Sequence, residues 1–169
     1  MSAQLPDRFI FEGREYDVIS TSRKSLFDPS QWGLEPVCPH KACLRGTIAT
    51  FEVRDDSLYL KNLRYWSREV PPTSVGAGKL IRDDLTGDCQ EYYYEGINAL
   101  IPWSGEIVLG RAFLWPPLLM PRGFQSVWKY KEVMQLLFAD GNLEAFGDVS
   151  KIIARLRADV METAQAVGF

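Results

Sequence analysis

The sequence predicts an α+β protein: an antiparallel, hairpin-rich β-sheet with a C-terminal amphipathic α-helix packed on it. Three observations carry that expectation. Apolar and polar residues alternate over short segments, the segments are separated by turn residues such as Gly and Asp, and helical spacing takes over only after Val149.

The first alternating segment is R-F-I-F-E-G-R-E-Y-D-V-I-S, from Arg8 to Ser20. Two apolar stretches flank Glu12-Gly13-Arg14, and Gly13 reaches positive φ at little cost, so a β-hairpin is expected. A second hairpin is expected between Gly46 and Leu63, where Ile48, Thr50 and Glu52 alternate with Ala49, Phe51 and Val53. Beyond an Asp55-Asp56-Ser57 turn, Leu58 and Leu60 repeat the pattern around Tyr59.

From Tyr65 to Gln90 the chain carries Pro71-Pro72, Gly76-Ala77-Gly78 and many charges, which predicts a long surface excursion. A short strand is expected at S-G-E-I-V-L-G, Ser104 to Gly110. The prolines of W-P-P-L-L-M-P, Trp115 to Pro121, exclude regular structure there. A third hairpin is expected over Val133 to Phe146, turning at Asp140-Gly141-Asn142. In the closing segment Ile152, Ile153, Leu156, Val160 and Met161 fall at helical spacings opposite Lys151, Arg155, Arg157, Asp159 and Glu162, with Asp148 placed to cap the first turn.

A chain of 169 residues suits one domain over residues 1–169. A net charge of −3 and a pI near 5.3 argue against a nucleic-acid-binding surface and favour a basic partner. Residues 1–11 do not resemble an export signal, so none is expected, and no apolar run approaches the roughly 18 residues of a membrane span. With an odd number of cysteines, three, the expectation is a cytoplasmic protein with reduced thiols and no membrane contact.

The only histidine lies in V-C-P-H-K-A-C, Val37 to Cys43, beside two of the cysteines. Zinc sites usually pair ligands in two separated knuckles, and Cys89 stands alone, so no metal and no cofactor are expected. Cys43 and Gly46 suit close backbone packing at the start of the central hairpin instead. A Cys–His nucleophile lacks a recognisable activating context. Gly76-Ala77-Gly78-Lys79 fails as a phosphate loop, since Thr73 and Leu80 replace its glycine and hydroxyl. No catalytic residue is therefore assigned.

The segment I-R-D-D-L-T-G-D-C-Q-E-Y-Y-Y-E, residues 81–95, sets Asp83, Asp84, Asp88, Glu91 and Glu95 against Arg82 alone, with Tyr92, Tyr93 and Tyr94 among them. Acids steer a basic partner, and tyrosines supply contact area with a polar tip. The competing reading is a solvated acidic loop followed by a strand that buries alternate tyrosines.

Three blocks carry a resemblance: A-C-L-R-G-T-I-A-T-F-E-V-R-D-D-S-L-Y-L-K-N-L (Ala42 to Leu63), P-D-R-F-I-F-E-G-R-E-Y (Pro6 to Tyr16) and S-G-E-I-V-L-G. They resemble a group of small cytosolic bacterial proteins in which Ala-Cys-x-Arg-Gly leads into a Glu-containing strand and an x-Asp-x-x-Leu-x-Leu hairpin. A Ser-Gly-Glu or Ser-Gly-Lys strand follows in that group. The build is similar to that of immunity proteins encoded beside interbacterial toxins, and it brings no catalytic residues.

The resemblance implies a non-enzymatic inhibitor that occludes the active site of a cognate toxin domain, as a monomer in a one-to-one complex, without contacting nucleic acid. Asp83, Asp84, Asp88 and Glu91 would steer association. Tyr92, Tyr93 and Tyr94, with Trp66 or Trp103, would anchor the partner. The alternative is a small-molecule-binding domain or hydrolase-like enzyme with an aromatic pocket around Trp103, Trp115 and Trp128.

Overall fold

The structure, a computed structural model, describes residues 4–23, 25–86, 88–114 and 126–166; within these, the side chains of residues 82–86 and 164 lie outside the description. Eleven strands are described: β1 Arg8–Phe11, β2 Arg14–Thr21, β3 Thr47–Arg54, β4 Ser57–Ser67, β5 Ser74–Val75, β6 Gly78–Thr86, β7 Cys89–Glu95, β8 Ala99–Leu100, β9 Gly105–Phe113, β10 Tyr130–Ala139 and β11 Asn142–Asp148. One helix, α1, follows at Ser150–Ala166. This is an antiparallel-rich sheet with a C-terminal helix on it, an α+β arrangement.

Three antiparallel pairs follow directly from turn chemistry. β1 meets β2 around Glu12-Gly13, β3 meets β4 around Asp55-Asp56, and β10 meets β11 around Asp140-Gly141. All six turn residues have positive φ, between 48° and 80°. Two consecutive positive-φ residues make the turn whose twist matches paired strands, and Gly, Asp and Asn tolerate it best. At Gly141 the need is doubled, because a Cβ there would stand 2.5 Å from the Ile101 carbonyl oxygen.

The strands run in the order β11-β10-β9-β2-β1-β3-β4-β7-β6-β5, with β8 added on β4. β1 lies parallel to β3, and the other pairings are antiparallel. At the far end β11 returns to β4 at Asn142 and Ser57, where Leu58 N–H donates to the Gly141 carbonyl at 2.8 Å and Leu143 N–H to that of Asp56 at 2.8 Å. The sheet thus curls round one interior. Its alternate residues fill it: Phe9, Phe51 and Phe138 meet with ring centroids about 6.5 Å apart, among Leu58, Leu60, Leu109 and Leu136.

One expectation needs correction. Much of the span from Tyr65 to Gln90 is strand, since β4 continues to Ser67 and β5, β6 and the start of β7 lie within it. Its glycines serve closeness: a Cβ on Gly78 would meet Ile97 Cγ1 at 2.5 Å. The helical period leaves open which side of α1 is covered: among its described apolar residues only Ile153 is buried, whereas Ile152, Leu156, Val160 and Met161 are exposed.

α1 is held at its first turns. Ser150 Oγ accepts from Val133 N–H at 2.9 Å, and Arg157 donates to the carbonyls of Trp128 and Tyr130. Asp148 Oδ1 accepts from Ser150 N–H at 2.9 Å, and the hydrogen bonds from Ser150 hold its carboxyl below the ordinary value. Asp148→Ala is expected to cost about 1 kcal/mol, read by urea denaturation, with Asp148→Asn largely restoring it. Among the described residues no helix is long and apolar enough to cross a membrane. The Trp115–Pro121 segment lies outside the described residues.

Candidate functional site

β7 sorts its own side chains by parity. Tyr92 and Tyr94 point into the main core, at 3% and 0% exposure. Tyr94 OH donates to the Pro72 carbonyl at 2.7 Å, and burial, helped by nearby Tyr65 and Tyr92, pushes its phenol up to about 12. Tyr92 OH donates to Gln90 Oε1 at 3.0 Å.

The opposite face of the strand carries Glu91, Tyr93 and Glu95. Glu91 Oε1 lies 3.0 Å from Arg64 Nε of β4, Tyr93 is half-buried opposite Arg64, and Glu95 is exposed. Asp88 is exposed at the turn into β7. Asp83 and Asp84 stand in β6 opposite Tyr92 and Glu91, and their side chains lie outside the described atoms.

The sequence assignment of partner anchors is therefore corrected in part. Tyr92, Tyr94, Trp66 and Trp103 are buried within the chain itself and present no ring to a partner. Trp103 sits in the main core over Gly105, where a Cβ would meet its ring at 2.7 Å. Only Tyr93 of the named aromatics reaches the surface of the sheet. The aromatic pocket of the alternative reading is likewise dispersed: Trp103 is core, Trp128 is 37% exposed, and Trp115 lies outside the described residues.

The V-C-P-H-K-A-C segment covers the outer face of β4 and β7. Cys43, Trp66 and Cys89 form a small second core with Val37 and Ile48 packed against it. His40 meets Trp66 edge-on at 6.1 Å, while exposed Cys38 Sγ donates to the His40 carbonyl at 3.4 Å. Gly46 takes φ +67°, and a Cβ there would stand 2.3 Å from the Val37 carbonyl oxygen. Burial pushes the Cys43 thiol up, which makes it a poor nucleophile. Among the described residues no group of three or more His, Cys, Asp and Glu is placed to hold a metal ion.

A pair that the sequence did not single out is Asp7 with Arg45. Asp7 precedes β1, and its side chain is 12% exposed. Oδ2 accepts from Arg45 Nη1 at 2.7 Å and Oδ1 from Ala49 N–H at 2.9 Å, while Arg45 Nη2 donates to the Leu5 carbonyl at 2.9 Å. Burial pushes the carboxyl up more than Arg45 and the amide draw it down. Cavities of about 400 and 300 Å³ adjoin the pair, with Ser20, Thr21 and Ser25 in their walls. A third, of about 430 Å³, lies beside Glu35, Tyr65 and Arg68.

The protein matches no family model, no curated protein and no solved structure.

Proposed function

We propose that this protein is a cytoplasmic immunity protein, a non-enzymatic inhibitor that binds a cognate interbacterial toxin domain and occludes its active site. The supporting observation is the division of labour in β7. With Tyr92 and Tyr94 locked in the core, the strand holds Glu91, Tyr93 and Glu95 in fixed positions on its other face. Acids displayed on a rigid strand lose little freedom on binding, so they favour a basic cleft more than the same residues on a loop would. Glu91 is already paired with Arg64, so Asp83, Asp84, Asp88 and Glu95 are the steering charges and Tyr93 is the contact ring.

The test uses the toxin domain encoded beside this protein. Tyr93→Ala is expected to weaken the complex at least about tenfold, and Asp88→Lys with Glu95→Lys to slow association and flatten its salt dependence. Melting temperatures should stay within about 2 °C of the parent, because none of the three side chains is core. Unchanged affinity and salt dependence in all variants, with no rescue of growth on co-expression, would sink the proposal.

A small-molecule-binding domain remains the second reading, in a different place. The observation that favours it is the pair of hydroxyl-lined cavities beside Asp7 and Arg45.

A further inference from the structure

After its first turns, α1 leaves an apolar stripe without cover. Ile152, Leu156 and Val160 are 58%, 50% and 44% exposed, and they fall four residues apart on one side of the helix. The helix touches the body of the protein at β10 and the short turn Val127–Lys129, through Ile153, Ser150 and Arg157. A helix of 17 residues docked only near its start is marginal alone in water, so its outer turns gain from a partner.

The charges beside the stripe say which partner. Lys151 and Arg155 lie in the first half and Asp159 and Glu162 in the second, all on the flank next to Ile152 and Leu156. Antiparallel helices bring like flanks together, so a two-fold axis through Leu156 sets Ile152 against Val160 of the second copy. The same axis brings Arg155 beside Asp159 of the second copy, with Lys151 and Glu162 further round the same flank. A parallel pairing would instead set this charged flank against the opposite flank of the second copy, which Ile153 and Arg157 already turn toward the body of the protein.

We propose that α1 is the interface of a two-fold homodimer, in which the Ile152, Leu156 and Val160 stripe packs antiparallel on the same stripe of a second copy. Such an interface is isologous, with one patch complementary to itself. It is small, at the low end of specific interfaces, so dimerisation should depend on concentration. The arrangement replaces the monomer expected from sequence. It is independent of the toxin-binding face on β7, which leaves one toxin domain per chain.

Sedimentation velocity on the full chain, from about 1 to 200 µM, should show a monomer–dimer equilibrium, because small interfaces of this kind are weak. Leu156→Glu and Arg155→Glu should each weaken it at least about tenfold, while Arg155→Glu with Asp159→Arg restores it. Circular dichroism checks that the helix persists in each variant.

In a Cys38→Ser background, Leu156→Cys should form an intermolecular disulfide on mild oxidation. Ile152→Cys should not, because the antiparallel register separates its two copies by about 12 Å along the axis. A monomer at every concentration would overturn the proposal, as would ready Ile152→Cys crosslinking, which signals a parallel pair. Protection of the stripe only when the toxin domain is added would assign it to that partner and also overturn the dimer.

Discussion

Trp66→Ala is expected to destabilise the protein by about 3–5 kcal/mol, a fall in melting temperature on the order of 10 °C. The ring is 4% exposed and bridges Cys43 of the covering segment and Cys89 of β7, with the His40 ring at its edge. Alanine keeps the backbone ties, since Trp66 N–H donates to Gly46 and its carbonyl accepts from Val37. It leaves a cavity that the surrounding sheet cannot close.

Thiol labelling separates this outcome from an interface role. Cys38 is exposed in the parent, while Cys43 and Cys89 are buried, so one cysteine should react quickly and two slowly. In the variant all three should react quickly, with affinity for the proposed toxin partner unchanged at a temperature where it remains folded. An affinity loss with normal melting and two protected thiols would instead make Trp66 an anchor for the partner.

Trp66 also illustrates what the sequence could and could not disclose. The alternation in β3 and β4 was legible because period two belongs to the chain itself, and the turns at Gly13, Asp55-Asp56 and Gly141 were legible because few residues tolerate positive φ. Which face of a strand is covered is not a local property. Trp66 lies on the outer side of β4, yet it is buried because residues far from it in the chain fold over that side.

The same limit explains β6. Prolines and glycines around it suggested a loop, but Gly78 is there because Ile97 approaches its backbone, a contact between residues distant in sequence. The alternation of Tyr92, Tyr93 and Tyr94 was visible in advance, and one of the two readings it allowed, burial of alternate rings, describes the strand. The helical period of α1 was equally plain. Period alone says that a stripe exists and leaves open whether the sheet covers it.

Asp7 and Arg45 were the least legible feature, because they stand 38 positions apart and neither has a local pattern. Asp7→Ala is expected to cost about 2–3 kcal/mol, below the roughly 3–5 kcal/mol of a fully buried pair because the Arg45 side chain is 32% exposed and water can reach it. The loss lies in the stranded partners, a guanidinium and the Ala49 amide, more than in the attraction itself. Asp7→Asn keeps one acceptor oxygen, enough for one of the two donors, and should cost less.

The pH dependence carries the sign of the burial. A carboxyl whose native value is raised above the ordinary 3.8 contributes its stability below that value and loses it as pH rises through the native one. The parent should therefore lose stability relative to Asp7→Asn as pH rises through the window just above 3.8, measured by paired denaturant titrations. If the Arg45 charge outweighed burial, the parent would instead gain on the amide variant as pH rises through the window just below 3.8. A double-mutant cycle of Asp7→Ala with Arg45→Met would then show strong coupling at neutral pH, where burial control predicts a smaller value.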